Sequence, residues 1–202
     1  MTNEFWNSLL TEKSWTFLQE LRMKYNFILI GGWAVYLLTR QKKSKDIDIV
    51  IDIKELQKFK NENLSKNERL KKYEIKRDEI DVDIYVEYFS KLTVPVEDIK
   101  KYFINVEGFK VAKPEVLLML KQGAYAERKH SVKGEKDAID IVSLLFFSGI
   151  HLNAYKELAR NYKLEHYISE LIDLVKDFKD YNALELTPHK FKVEKEKILS
   201  KL

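Results

Sequence analysis

An α+β fold is predicted by three features of the 202-residue sequence. Short apolar or strictly alternating runs of strand type recur through the first 112 residues, helical spacing takes over from Pro114 to the end, and no flexible or low-complexity spacer separates the two regimes. The reading is a mixed helix-and-strand N-terminal domain, residues 1–112, followed by a helical domain, residues 113–202, packed together with a cleft between them.

The elements follow in order. Within residues 2–25, Trp6, Leu9, Leu10, Phe17, Leu18, Leu21 and Tyr25 recur at spacings of three, four and seven, which predicts an amphipathic helix. Phe27–Ile30 is a short buried strand, Gly31-Gly32 breaks the pattern, and Trp33–Thr39 resumes as a helix. Arg40, Lys42, Lys43 and Lys45 lead into the segment 46–52, Asp-Ile-Asp-Ile-Val-Ile-Asp, whose alternation and β-branched content predict a strand. Residues 54–77 are charged and are expected to form one short helix, a loop and a strand near Tyr73–Lys76. A turn at 77–79 then leads to Ile80–Val86, paired with its predecessor as a hairpin. A second hairpin spans Phe103–Val111, turning at Glu107-Gly108. Pro114 suits the first position of a helix, and helices are expected over 114–129, 134–147, 151–161, 164–180 and about 189–201.

Composition narrows the function classes. Hydrophobic residues make up 45% and aromatic residues 12%, with only 6 Gly and 3 Pro, so disordered and collagen-like chains are excluded. The absence of cysteine removes disulfides, Cys-ligated zinc and thiol nucleophiles, and makes the cytoplasm the expected location. The longest apolar runs, such as Ile139–Phe147, fall well short of the ~20 residues a bilayer crossing needs, and residues 1–5 do not resemble a secretory leader.

Chemistry concentrates in the acidic strands. Residues two apart on a strand share a face, so Asp46 and Asp48 project together while Ile47, Ile49 and Ile51 face the core. Asp81 and Asp83 repeat the arrangement opposite Ile80, Val82, Ile84 and Val86. Carboxylates held so close repel unless a cation neutralises them, and hard oxygen donors favour Mg2+ or Mn2+. Three such groups can hold two divalent ions, one activating a hydroxyl and one clamping a triphosphate. An alternating Asp/Ile strand with a solvated face produces the same D-x-D pattern. Position favours the functional reading: Gly31-Gly32 precedes a helix, where the backbone can approach a phosphate and the helix N-terminus offers free N–H groups.

These motifs resemble the nucleotidyltransferase superfamily typified by DNA polymerase β. The match comprises Leu29-Ile-Gly-Gly32, thirteen intervening residues, Asp46-Ile-Asp48-Ile-Val-Ile, and Val82-Asp83-Ile-Tyr-Val. Further on, Lys121-Gln-Gly-Ala-Tyr-Ala-Glu-Arg128 and Lys136-Asp-Ala-Ile-Asp140 are similar to the K-x-x-A-x-x-x-R and K-D-x-x-D segments of stand-alone bacterial and archaeal enzymes, including AbiEii-type toxins of type IV toxin–antitoxin systems. The matched stretches cover under half the chain. The resemblance implies a small mixed β-sheet core with flanking helices and a C-terminal helical bundle that contributes to the nucleotide cleft. It also implies Asp46, Asp48 and Asp83 as catalytic metal ligands for Mg2+ or Mn2+, with Asp81 competing for the third place. Gly31, Gly32, Lys45, Lys121 and Arg128 would bind the nucleotide. Where the superfamily often has Ser, Gly32 removes a hydroxyl, so a side-chain phosphate contact would have to come from elsewhere. Lys121, Tyr125 and Arg128 share a helix face, and Asp137 and Asp140 could orient the two cations.

The implied reaction moves a nucleoside monophosphate from an NTP to an acceptor hydroxyl with release of pyrophosphate. RNA or tRNA, protein and small molecules are the candidate acceptors, and an antitoxin is a candidate partner. The other classes are a catalytically silent nucleotide- or RNA-binding module and a toxin component. His130, His151, His166 and His189 lack metal-ligand spacing and read as surface or helix-end residues; no P-loop or nucleophile-elbow motif occurs. The net charge of +4 conceals an uneven distribution, because residues 54–77 carry nine Lys or Arg against four Glu, which suits a polyanion or a solvated loop.

Overall fold

The computed structural model describes residues 3–202, with side chains from Ser8 onward, so the predicted packing of Trp6 lies outside the described residues. Seven strands form one mixed sheet: β1 (Ile28–Ile30), β2 (Ile47–Ile51), β3 (Ser65–Asn67), β4 (Lys72–Arg77), β5 (Ile80–Val86), β6 (Phe103–Val106) and β7 (Phe109–Ala112). Their order is β3-β4-β5-β2-β1-β7-β6. The β2–β5 and β1–β7 pairs are parallel, and the others antiparallel. The helices are α1 (Asn3–Lys24), α2 (Gly31–Thr39), the single turn α3 (Val96–Ile99), α4 (Pro114–Arg128), α5 (Val132–Phe147), α6 (Leu152–Asn161), α7 (His166–Asp177) and α8 (Pro188–Leu199). This is the α+β architecture with a mixed sheet that the sequence predicts.

The chain divides into two compact units. One runs to Leu37 and resumes over Lys42–Ala112; the other comprises Leu38–Gln41 and Lys113–Leu202. In the first unit, alternation does what it predicts. Ile47, Ile49 and Ile51 of β2, and Ile80, Val82, Ile84 and Val86 of β5, are all buried, with Asp48, Asp81 and Asp83 on the other face. Apolar burial of this kind stabilises by about 25 cal/mol per Å2, which is why the register of these two strands is strongly specified. Trp33 is fully buried, its Nε1 donating to Ser14 Oγ of α1 at 2.9 Å, and Trp15 packs 5.1 Å from it.

Three local differences from expectation have physical causes. The glycines open α2 instead of preceding it, because Gly31 takes φ +67° and itself makes the turn out of β1. Segment 54–77 contains a 3-10 helix (Glu55–Asn61) and the additional strand β3, whose polar Ser-Lys-Asn sequence has no apolar alternation and is held by pairing with β4. The turn α3 is likewise too short to leave a periodic signal.

In the helical unit, α5 is capped by Ser131 Oγ, which accepts from Gly134 N at 3.1 Å. Pro114 and Pro188 occupy first-turn positions of α4 and α8. A buried polar chain links three elements: Tyr155 O–H donates to Gln122 Oε1 at 2.7 Å, and Gln122 Nε2 donates to the Tyr167 carbonyl at 2.8 Å. Burial raises the Tyr155 phenol well above its ordinary value, with the Gln122 contact opposing the rise. All four histidines are exposed, as expected. Among the described residues, no helix is long and apolar enough to cross a membrane.

Candidate functional site

The carboxylates meet through strand register. In the parallel β2–β5 pair Asp48 lies directly opposite Asp83, and in the antiparallel β4–β5 hairpin Glu74 lies opposite Asp83. On the other side of β2, Asp48 faces Ile30, the last residue of β1. One row across the sheet therefore reads Ile30, Asp48, Asp83, Glu74, and it ends beside the start of α2. Asp46 precedes β2 by one residue on the Asp48 face, near enough that its charge contributes to raising the Asp83 carboxyl. Asp81 sits opposite Lys76 instead. Asp83, and not Asp81, is the carboxylate in register with Asp48.

Gly31 is fitted to Asp48. A Cβ added at Gly31 would fall inside the Asp48 carboxylate, 2.6 Å from its Cγ and 2.7 Å from its Cβ. Only a residue without a side chain, in a left-handed backbone conformation, lets this carboxylate lie against the first turn of α2, where the positive end of the helix dipole favours a negative charge. Gly32 is constrained differently: its missing Cβ would lie 2.7 Å from Ser44 Oγ and 2.8 Å from Ser44 Cβ. Ser44 Oγ donates to the Asp46 carbonyl at 3.0 Å, so a hydroxyl does stand beside Gly32, supplied by the loop before β2. Lys45 is exposed on that same loop.

Lys72, one cation within the charged run 54–77, stands at this row of carboxylates. Its Nζ donates to Asp83 Oδ2 at 2.5 Å and lies 3.1 Å from Glu74 Oε1, with its side chain only 12% exposed. Burial lifts the Asp83 carboxyl above the usual range, and Lys72 opposes that lift. Burial also works against the Lys72 ammonium, but its contacts with Asp83 and Glu74 outweigh it and hold its pKa above the ordinary lysine value. Hairpin geometry was the available signal. A two-residue turn between Arg77 and Ile80 puts Lys72, Glu74 and Lys76 on the face of Asp81 and Asp83. In the sequence alone Lys72 was one cation in a charged run.

The donor chemistry of Asp46, Asp48 and Asp83 suits a hard divalent ion. Among the described residues, however, no three acidic or histidine side chains converge as a ready-made metal site. The cation at Asp83 is the lysine's own.

In the helical unit, Lys121 and Arg128 come together on α5 carboxylates. Arg128 Nε donates to Asp137 Oδ2 at 2.6 Å and its Nη2 to Oδ1 at 3.0 Å; Lys121 Nζ lies 3.2 Å from Asp137 Oδ1 and 2.6 Å from Asp140 Oδ2. Asp137 is 2% exposed and Lys121 13%, while Arg128 keeps 40%. Asp137 and Asp140 thus orient the two cations, as their spacing suggested.

The basic segment also proves partly neutralised. Lys58 meets Glu55, Lys66 and Lys71 meet Glu68, and Arg77 meets Glu20 of α1.

No family model matches the chain, and no curated protein matches it. Several solved structures are similar to it. An antigenic nucleotidyltransferase-like protein from Paracoccidioides brasiliensis shares 16% identity over 88% of this chain and 97% of its own, with a TM-score of 0.39. A candidate nucleotidyltransferase from Helicobacter pylori shares 15% identity over 100% of this chain and 97% of its own, with a TM-score of 0.46. The Megavirus polyadenylate synthase shares 15% identity over 70% of this chain but only 31% of its own length, with a TM-score of 0.44.

Proposed function

We propose that the chain is a divalent-cation-dependent nucleotidyltransferase with its reaction centre at Asp46, Asp48 and Asp83. The observation that carries the reading is the direct opposition of Asp48 and Asp83 on neighbouring strands, with Asp48 seated against Gly31 at the N-terminus of α2. A purely solvated acidic strand does not require a glycine in a left-handed conformation to make room for one of its carboxylates. In this reading Asp46, Asp48 and Asp83 hold Mg2+ or Mn2+, which when bound would neutralise the triphosphate and polarise the reacting oxygens. Gly31 and Gly32 let the backbone N–H groups of α2 approach the phosphates. Asp83 orients the acceptor hydroxyl and takes up its proton. The acceptor oxygen bonds to the α-phosphorus, the bond to the β-phosphate bridging oxygen breaks, and pyrophosphate leaves. Positioning and electrostatics supply most of the rate enhancement in such transfers.

The test is incubation of the protein with each α-labelled NTP and Mg2+ or Mn2+, with and without total RNA. Divalent-dependent label in RNA, in protein or in a small product supports the reading and reveals the acceptor. Absence of label with every NTP and acceptor pool, alongside unaltered NTP, overturns it.

A further inference from the structure

We infer that Lys72 is a resident cation at the Asp83 carboxylate that holds down the affinity of this carboxylate for divalent ions. The inference rests on the carboxylate site proposed above. Lys72 Nζ is 2.5 Å from Asp83 Oδ2, and both side chains are largely buried, at 12% and 17% exposed. A buried, charge-assisted contact of this length takes up a lone pair of Asp83 and cancels one of the negative charges that would attract an ion. The arrangement is built in at both ends. Strand register puts Glu74 opposite Asp83, and Asn67 Nδ2 on β3 donates to Glu74 Oε1 at 2.9 Å, which fixes Glu74 as a second acceptor for the ammonium 3.1 Å away. Lys72 itself pairs with Asn67 across the β3–β4 ladder, which holds its backbone in place. Glu74 is thus a place for the ammonium to rest when it releases Asp83, which lets the exchange occur without stranding a buried charge. An ion arriving with a triphosphate brings extra negative charge to draw the lysine off, whereas a bare ion must displace it unaided.

The probe is Mn2+ alone, titrated into the full chain without nucleotide and followed by the electron paramagnetic resonance signal of free Mn2+. Lys72→Gln and Lys72→Met are expected to lower the Mn2+ dissociation constant on the order of tenfold, from loss of one nearby positive charge. Lys72→Arg, which keeps the positive charge, is expected to remain within about threefold of wild type, as is Lys76→Gln, opposite Asp81. Asp83→Asn should abolish the gain in the Lys72→Gln background. Tryptophan fluorescence checks that each variant is folded. Unchanged affinity in both neutral Lys72 variants, with Asp83→Asn still weakening binding, overturns the role of Lys72 and leaves the site standing. Equal tightening in Lys72→Arg also overturns it, since charge would not be the cause. Mn2+ binding indifferent to Asp46, Asp48 and Asp83 overturns both this inference and the metal site beneath it.

Discussion

Gly31→Ala tests the seat of Asp48 directly. Two costs fall on the substitution. The first is conformational: at φ +67° an alanine pays roughly 1–2 kcal/mol for left-handed backbone geometry. The second is steric, since the new methyl would sit 2.6 Å from Asp48 Cγ and 2.7 Å from its Cβ, far inside contact distance. Relief requires Asp48 to swing away or β2 to shift, and overpacking of this kind costs about 1–3 kcal/mol. Together the expected loss is about 2–5 kcal/mol. All three tryptophans lie in the first 33 residues, so their fluorescence during urea denaturation reports the sheet unit selectively. The two costs separate in an Asp48→Gly background, where the clash vanishes and the backbone cost remains. Gly31→Ala should then cost only about 1–2 kcal/mol, a coupling of about 1–3 kcal/mol between positions 31 and 48. An equal cost in both backgrounds, or a wild-type-background cost under about 0.5 kcal/mol, would refute the claim that Gly31 exists to admit this carboxylate.

Two more consequences concern neighbouring contacts. Gly32→Ala places a methyl 2.7 Å from Ser44 Oγ, and because the obstruction is one side chain on a loop it should cost about 1–2 kcal/mol in urea titrations, mostly recovered by adding Ser44→Gly. Asp137→Asn leaves Lys121 and Arg128 without their shared, buried counter-charge and should lower the stability of the helical unit by roughly 2–3 kcal/mol, followed by circular dichroism. That estimate sits toward the low end for a buried pair because Arg128 is 40% exposed, and Asp140→Asn should cost less because Lys121 keeps Asp137.

Much of the fold was legible because it depends on periodicity. Ile47, Ile49 and Ile51 and their counterparts on β5 are buried by the same alternation that announces them, and Pro114 starts α4 where its fixed φ predicts. The pairing of Asp48 with Asp83 was only an expectation in the sequence, since 34 positions separate them and a parallel ladder gives no local signal. What the sequence could not display was the identity of each partner. Lys72 lies in a run of charges whose members look alike until the hairpin register selects one for Asp83, and Ser44 looks like a loop residue until the chain closes over Gly32. Lys121 and Arg128 share a helix face, as their spacing predicts, while the α5 carboxylates that each of them meets become visible only once α4 and α5 pack together.

The central claim is that Asp48 and Asp83, joined by strand register, form one reaction centre while Asp81 stands outside it. The most direct measurement compares transfer of α-labelled nucleotide by Asp48→Asn, Asp83→Asn and Asp81→Asn, each confirmed folded by tryptophan fluorescence. The account predicts losses of about a hundredfold or more for the first two, comparable with removing a principal electrostatic stabiliser, and less than about threefold for the third. Transfer retained in Asp83→Asn, or abolished equally in Asp81→Asn, would contradict it.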